Sequence, residues 1–511
     1  MTRGRTIEKV LVANRGEIAL RVVRACRELG IRSVAVYSEA DRGAAHVRAA
    51  DEAYPLGPAP ASESYLRVEK LLEVARTARA DAVHPGYGFL AENAAFAQAV
   101  EEAGLLWIGP RPKALEALGD KARAREIARR VGVPVVPGSD AEAHTAPEAI
   151  AQAARAVGFP VLLKAAAGGG GKGMRLVSDP GPDEGALREA IAAAQREAQA
   201  AFGDPRLLVE RYLHPVRHVE VQVLGDAHGR ILALGERECS LQRRHQKIVE
   251  ESPSPAPTLS ARLREGLERA AVRLAEAVGY RNAGTVEFLL APDGSFYFLE
   301  VNARLQVEHP VTELTRGVDL VQWQIRLAQG EPLPATLRTS PRGHAIEVRL
   351  CAEDPEAGFL PRSGKLLRVE WPSGPGVRVD AGVHAGGTVP PHYDPLLAKL
   401  IAWGPDRETA RRRLVRALEE TVVLGVVTNR DFLLELLESP AFRDGETYTH
   451  TVEELLRTRK PPEVPDEFWI AAAWWALAEG VSRRRRAPTP PTATEDPYRL
   501  WKRLGARRFP R

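Results

Sequence analysis

The chain has 511 residues, 44% hydrophobic and 27% charged, which exceeds one hydrophobic core and is ordinary for a globular protein of about three domains. A formal charge of +4 offers no bulk attraction for nucleic acid, although the C-terminal end is locally basic, and no apolar stretch is long enough to suggest a signal peptide or a membrane span. Cys26, Cys239 and Cys351 are too few and too scattered for a disulfide framework or a zinc site, so a reducing, cytoplasmic setting is expected.

Residues 9–13, KVLVA, read as a buried strand, followed by Asn14-Arg15-Gly16-Glu17 and an amphipathic helix to about Leu29. Gly30 ends that helix and residues 33–37 form a second strand. The turn carries one glycine and no GxGxxG, yet strand, turn, helix and strand in this order open a nucleotide-type α/β fold. Further units follow at 82–84, running into Pro85-Gly86-Tyr87-Gly88, and at 105–109. A parallel sheet ending near residue 112 is the expected first domain.

Residues 160–164 form a strand that enters AAAGGGGKGMR at 165–175. Four consecutive glycines, Gly168, Gly169, Gly170 and Gly171, leave backbone amides open to phosphate oxygens because no Cβ intrudes. This is no Walker loop, since Gly173 stands where that motif needs Ser or Thr. Lys164 before the loop and Arg175 after it favour phosphate over a plain flexible loop. Glu210 ends the next strand. In VRHVEVQV, the period of two puts His218, Glu220 and Gln222 on one face. The run from Gln242 to Lys247 packs basic side chains together, and it gains meaning only from what precedes and follows it.

Residues 285–310 are the most informative stretch. Two apolar runs meet at Asp293-Gly294, a strong hairpin signal. Taken as a two-residue turn, this dipeptide sets Phe288 opposite Leu299 and Glu287 opposite Glu300. Two facing carboxylates repel, and a divalent cation between them converts that cost into a site. A strand continued beyond Glu300 lines up Asn302, Arg304, Gln306 and Glu308 on the same face. This reads as a metal and anion site.

The segments VANRGEIALRV, HPGYGFLAEN, GGGGKGMR, RHVEVQV, RRHQKIVEE, GTVEFL, NARLQVEHPVTE and AEDP are similar to those of biotin carboxylases of the ATP-grasp fold, in order from about residue 7 to 455. The resemblance implies an α/β and α+β architecture. It comprises a Rossmann-like domain at 1–115, linker helices at 116–138, a glycine-loop lid at 139–209 and a larger domain at 210–455. A Pro/Arg/Trp-rich tail at 456–511 is a candidate docking segment. By the same resemblance, Lys121, Lys164, Glu210, Leu213 and His218 surround ATP, and the glycine loop, Gln242 and His245 are further cofactor-binding positions. Glu287, Glu300 and Asn302 hold Mg²⁺ or Mn²⁺. Lys247, Arg304, Gln306 and Val307 cradle bicarbonate, with Glu308 as base. Arg349 faces the ureido oxygen of biotin, with Tyr87 near the biotin pocket, Asp394 falls at a further active-site position, and Arg24 and Glu28 belong to a homodimer interface.

The implied activity is ATP-dependent carboxylation of biotin through carboxyphosphate. The only methionines are Met1 and Met174, so the Met-Lys-Met setting of a biotinylated lysine is absent. The expected arrangement is a separate subunit serving a biotin carboxyl carrier protein and carboxyltransferase subunits, with acetyl-CoA as the first-choice acceptor and pyruvate or propionyl-CoA as alternatives. Competing readings are another ATP-grasp ligase, which needs neither RRHQK nor Arg349, and a non-catalytic nucleotide-binding scaffold.

Overall fold

The computed structural model describes residues 6–139, 145–166, 174–181, 183–337, 340–459 and 465–484. Gly168 to Gly171 of the glycine loop lie outside the described residues. The chain divides into two units, 1–458 and 459–511.

The first unit opens with β1 (Lys9–Val12), whose four residues are all buried, as the apolar run requires of a strand covered on both faces. Helix α1 (Gly16–Glu28) follows and buries Ile18, Ala19, Val22, Val23 and Cys26, a stripe at helical spacing. With β2 (Arg32–Ser38), β3 (Glu52–Gly57), β4 (Ala82–His84) and β5 (Leu106–Trp107) it builds a five-stranded parallel sheet of order β3-β2-β1-β4-β5. After β4 the chain turns sharply at Gly86. Its φ is +65°, and a Cβ there would lie 2.9 Å from the Asn14 amide nitrogen, so a side chain is excluded on both counts.

Strands β6 (Val161–Ala165), β7 (Arg175–Val177) and β8 (Leu207–Arg211) form a separate three-stranded antiparallel sheet, order β7-β6-β8. Its apolar core is its own: Ile150, Leu163, Leu187, Ile191 and Val209 bury one another.

The third sheet has eight strands. Its order is β13 (Phe296–Asn302), β12 (Asn282–Leu290), β9 (Arg217–Gly225), β10 (Ile231–Arg243), β11 (Gln246–Ser252) and β14 (His344–Cys351), then Leu396–Gly404 and Val377–Ala381. Along β9 and β12 the alternation separates two faces. Val219, Val221, Val223, Val286 and Phe288 join a core continuous with that of the parallel sheet. His218, Glu220, Gln222, Thr285 and Glu287 occupy the other face and are buried too. A polar face this deeply buried needs internal partners for every group, and it forms the floor of the site.

The hairpin β12–β13 pairs Glu287 with Glu300, but Phe288 faces Phe298 rather than Leu299. The loop is three residues long, 292–294, closed by the Ala291 N–H donating to the Ser295 carbonyl at 2.9 Å. Pro292 favours the first turn position, and Gly294 takes the left-handed conformation with φ +84°. One register shift between Glu287 and Phe288 absorbs the added loop residue and restores the two glutamates to opposition. The expected continuation of the strand beyond Asn302 does not occur either. Residues 303–308 are irregular and lead into the helix His309–Arg316, with Pro310 in its first turn.

In the second unit the helix Asp466–Arg484 exposes Phe468, Trp469, Ile470, Trp474, Trp475 and Leu477. No helix among the described residues is long and apolar enough to cross a membrane.

Candidate active site

A cleft of about 1200 Å³ opens over the polar face of the large sheet, lined among others by Tyr87, His218, Lys247, Glu287, Arg304 and Arg349. At its floor Lys247 gathers three carboxylates. Its Nζ lies 2.5 Å from Glu220 Oε2, 2.7 Å from Glu287 Oε1 and 2.7 Å from Glu308 Oε1. The basic run that contains Lys247 is the tip of the β10–β11 hairpin, with Arg244 and His245 at positive φ. Register Gln242↔Lys247 thus sets the last residue of the run against the carboxylates of the sheet. A charge run that looks solvated in sequence becomes a buried ammonium through its turn.

Burial alone would raise the Glu308 carboxyl, but Lys247, Arg349 and Arg237 outweigh it and hold Glu308 well below the usual carboxylate range. Glu287 is held low in the same way against burial, by Lys247 and His218, whose Nε2 is 2.9 Å from Glu287 Oε2. Glu220 goes the other way: burial, reinforced by Glu308 and Glu287, lifts it despite Arg237 and Lys247. The ammonium of Lys247 loses stability to burial and regains more from Glu220, Glu287 and Glu308, so it stays charged.

The irregular segment 303–308 still delivers its polar side chains to the cleft. Arg304 donates from Nη2 to Asn302 Oδ1 at 2.8 Å and from Nη1 to Gln306 Oε1 at 2.9 Å. Gln306 Nε2 and Asn302 Nδ2 both donate to Glu287 Oε1, at 3.2 and 2.8 Å. The next residue, Val307, lines the cleft, and its carbonyl accepts from the fully buried Lys399 at 2.8 Å. Arg349, on β14, reaches Glu308 Oε2 with Nη2 at 3.0 Å. Tyr87, His245 and Asp394 line the same cleft.

The lid side is organised separately. Glu210 accepts from Lys164 at 3.0 Å and from Arg125 at 2.5 Å, and all three are buried. Burial would raise the Glu210 carboxyl; Lys164, Arg125 and Lys121 hold it low instead. Lys121 pairs with Glu300 at 3.0 Å and so links this group to the hairpin. Gln242 is buried next to the turn, and Leu213 is half-buried in the connection between β8 and β9. Neither Lys164, Glu210, Leu213 nor Gln242 lines the cleft among the described residues.

Glu287, Glu300 and the Asn302 amide oxygen form an all-oxygen set on one edge of the sheet, the donor chemistry a hard divalent cation takes. Lys247 and Lys121 compensate the two carboxylates and Arg304 donates to the Asn302 oxygen, so the three protein cations stand where a metal would supply charge, and the oxygen-only donor chemistry is what fits Mg²⁺ or Mn²⁺. Several contributors escaped the sequence reading. Arg237, fully buried, donates to Glu220, to Gln222 at 2.8 Å and to Thr285 at 3.0 Å. Glu92 accepts from Arg304 at 2.8 Å and from the Ala303 N–H at 3.0 Å. Its place in FLAEN, beside the HPGYG turn, was the available signal.

Known families match nearly the whole first unit. Residues 6–115 fit the biotin carboxylase N-terminal domain, 120–336 the carbamoyl-phosphate synthase L chain ATP-binding domain, and 347–454 the biotin carboxylase C-terminal domain. A pyruvate carboxylase subunit of Methanothermobacter thermautotrophicus is 52% identical over 450 residues, 88% of this chain and 90% of that one. Biotin carboxylase of Nostoc sp. is 48% identical over 449 residues, 88% of this chain and 99% of its own. The solved biotin carboxylase domain dimer of Hydrogenobacter thermophilus 2-oxoglutarate carboxylase, in complex with MgADP, ADP and bicarbonate, superposes with a TM-score of 0.86 at 46% identity, covering 90% of this chain and all of that one. The fold and site thus define an ATP-dependent ligase of the ATP-grasp class. Within that class the chain belongs to the biotin carboxylase family and carries the biotin carboxylase activity of a biotin-dependent carboxylase.

Proposed function

We propose that the chain carboxylates biotin attached to a separate carrier protein, using ATP and bicarbonate, with Glu308 as the base. The observation that carries this reading is the Lys247–Glu308–Arg349 cluster, in which one carboxylate is held anionic by two cations that both face the cleft. Bicarbonate seated against Lys247, Arg304, Gln306 and Val307 gives its proton to Glu308 as its oxygen attacks the γ-phosphate, and ADP leaves to give carboxyphosphate. The incoming anion shares Lys247 with Glu308 and so relieves part of the pull that keeps this carboxylate a weak base. Glu287, Glu300 and Asn302 would hold Mg²⁺ or Mn²⁺, which supplies charge neutralisation on the phosphates. Lys121, Lys164, Glu210, Leu213, His218, Gln242 and His245 bind the nucleotide, and Gly168 to Gly171 are assigned to its phosphates from the sequence. Carboxyphosphate yields CO₂ and phosphate, the phosphate takes the biotin N1′ proton, Arg349 offsets charge developing on the ureido oxygen, and N1′ attacks CO₂ to give carboxybiotin. Tyr87 and Asp394 border the biotin end.

ATP cleavage assayed with bicarbonate, with and without free biotin, tests this: stimulation by biotin is expected. Silence under every condition would favour a nucleotide-binding scaffold.

The chain works as a homodimer through the α1 surface that carries Arg24 and Glu28, and as one component of a larger cytoplasmic carboxylase. The carrier and the carboxyltransferase are its partners, with the apolar helix Asp466–Arg484 as the docking segment. Deleting residues 460–511 should abolish co-purification with the carboxyltransferase while free-biotin carboxylation persists. The acceptor is an acyl-CoA, acetyl-CoA first. Pyruvate is the second reading, favoured by the 52% identity to a component of a pyruvate carboxylase. Offering acetyl-CoA, propionyl-CoA and pyruvate to the reconstituted assembly decides between them.

A further inference from the structure

Glu250 and Glu347 stand directly opposite one another in the antiparallel pairing of β11 with β14, and both are fully buried. Facing carboxylates at such positions repel, and burial removes the water that would soften the repulsion. Glu250 is engaged on one side only. Its Oε1 accepts from Arg349 Nε at 2.7 Å and lies 2.5 Å from Nη2. Its Oε2 has no hydrogen-bond partner among the described residues, and neither oxygen of Glu347 has one. Three buried oxygens on two facing side chains lack a donor, and a single proton between the two carboxyls serves two of them, because a carboxylic acid is the one form of either residue that can donate.

Arg349 decides where the proton sits. Burial lifts the Glu250 carboxyl to about 7 even with the Arg349 guanidinium bound to it and opposing the rise, so of the two residues Glu250 is the one held closer to the anion. Among the described residues Glu347 has no cation in hydrogen-bond contact. The charged groups facing it are Arg349 on its own strand, Lys399 on the neighbouring strand Leu396–Gly404, Glu250 on β11 and Glu308 from the loop before His309–Arg316. Lys399 is already spent on the Val307 carbonyl and lies 3.4 Å from Glu17.

We infer that Glu347 is a neutral carboxylic acid donating to Glu250, and that this pair positions the Arg349 guanidinium for the biotin half of the reaction. Burial raises the Glu347 carboxyl well above its ordinary range, with Lys399 opposing and Glu250 adding to the shift, which agrees with this geometry. The arrangement has a use. Arg349 is shared between Glu250 behind it and Glu308 in the cleft, at 3.0 Å. A second full anion at 347 would draw the guanidinium into the sheet and away from the cleft. An apolar residue there would leave Glu250 Oε2 without a donor and free to rotate, loosening the grip on Arg349. The neutral acid fixes Glu250 without adding charge. Glu250 and Glu347 are positioning residues, acting through Arg349, and the inference rests on the proposed role of Arg349 at biotin.

The test compares Glu347→Gln, Glu347→Leu and Glu250→Gln in the full chain, following both bicarbonate-dependent ATP cleavage without biotin and carboxylation of free biotin. The amide keeps a neutral donor, so Glu347→Gln should stay within about twofold of the parent in both assays. Glu347→Leu and Glu250→Gln should lower biotin carboxylation at least about tenfold, through kcat or the KM for biotin, while the KM for ATP stays constant. Infrared spectra of the parent protein at neutral pH should contain a protonated-carboxyl band that Glu347→Gln removes. Glu347→Gln as damaging as Glu347→Leu, equal losses in both assays, or the absence of that band would each overturn the inference. Arg349→Gln separates the two levels. Undiminished biotin carboxylation in that variant sinks the role given to Arg349, whereas its loss beside an unaffected Glu347→Leu sinks only the pair.

Discussion

Lys247 Nζ lies 2.7 Å from Glu308 Oε1, and the same ammonium also holds Glu220 and Glu287. Two strands and a loop therefore converge on one nitrogen, and the protonation of three carboxylates depends on it. The cluster has to be both a structural joint and a reaction centre, which makes its single-residue effects large and separable.

Lys247→Met removes the cation and leaves the carboxylates buried together. Breaking a buried ion pair typically costs about 3–5 kcal/mol, so the thermal midpoint should drop clearly. Part of that loss should return when Glu220→Gln is added, since Glu220 is the carboxyl most easily protonated. Activity should stay absent in both. A Lys247→Met protein with parental stability would contradict the cluster as described.

Lys399 fixes the peptide after Val307 by donating to its carbonyl at 2.8 Å. Lys399→Met should raise the KM for bicarbonate about tenfold, the effect of losing about 1.4 kcal/mol of binding, and leave the KM for ATP unchanged. Adding Glu17→Gln guards against a folding defect, because Glu17 is the carboxyl 3.4 Å away. Equal changes in both KM values would show that the lysine serves the fold alone.

Acid stability has a histidine component. His84 is buried, pushed down to about 4 chiefly by burial, with Nδ1 accepting from the Gly86 N–H at 3.0 Å and Nε2 facing Gln324 Oε1 at 3.2 Å. The ordinary imidazole value is about 6.5, so between about 6.5 and 4 the unfolded chain binds the proton first. This contribution is complete above about 6.5 and is lost as pH falls towards 4, up to about 3 kcal/mol. Glu17, raised to about 7 by burial, works in the opposite direction, so the comparison has to be with a variant. Melting curves of the parent and His84→Gln from pH 7 to 4 should converge as the pH falls. Parallel curves would contradict the buried neutral imidazole.

Much of this was legible in the residues alone. The parallel opening and the lid strands follow from local period and turn chemistry, whereas the Glu287–Glu300 opposition holds because a bulge offsets the longer loop. The register beyond the bulge did not, because Asp293-Gly294 looks like a two-residue turn until Pro292 claims the first turn position. The strand expected through Glu308 failed for a related reason: alternation over 301–308 mimics a strand, while Glu92, arriving from the N-terminal domain, takes the Ala303 N–H. Arg237, Lys399 and the Glu250–Glu347 pair were missed since their meaning lies in partners far along the chain, 92 residues for Lys399 and Val307. The alternation in HAIEVRL did put Glu347 and Arg349 on one face, but a charged residue on a strand reads as solvated unless the neighbouring strand is known.

The central claim is that Glu308 takes the bicarbonate proton, and Glu308→Gln tests it most directly. Nucleotide binding by calorimetry and bicarbonate-dependent ATP cleavage should be measured on the same preparation. The account predicts ATP binding close to that of the parent with bicarbonate-dependent cleavage abolished. Cleavage retained in Glu308→Gln would contradict it.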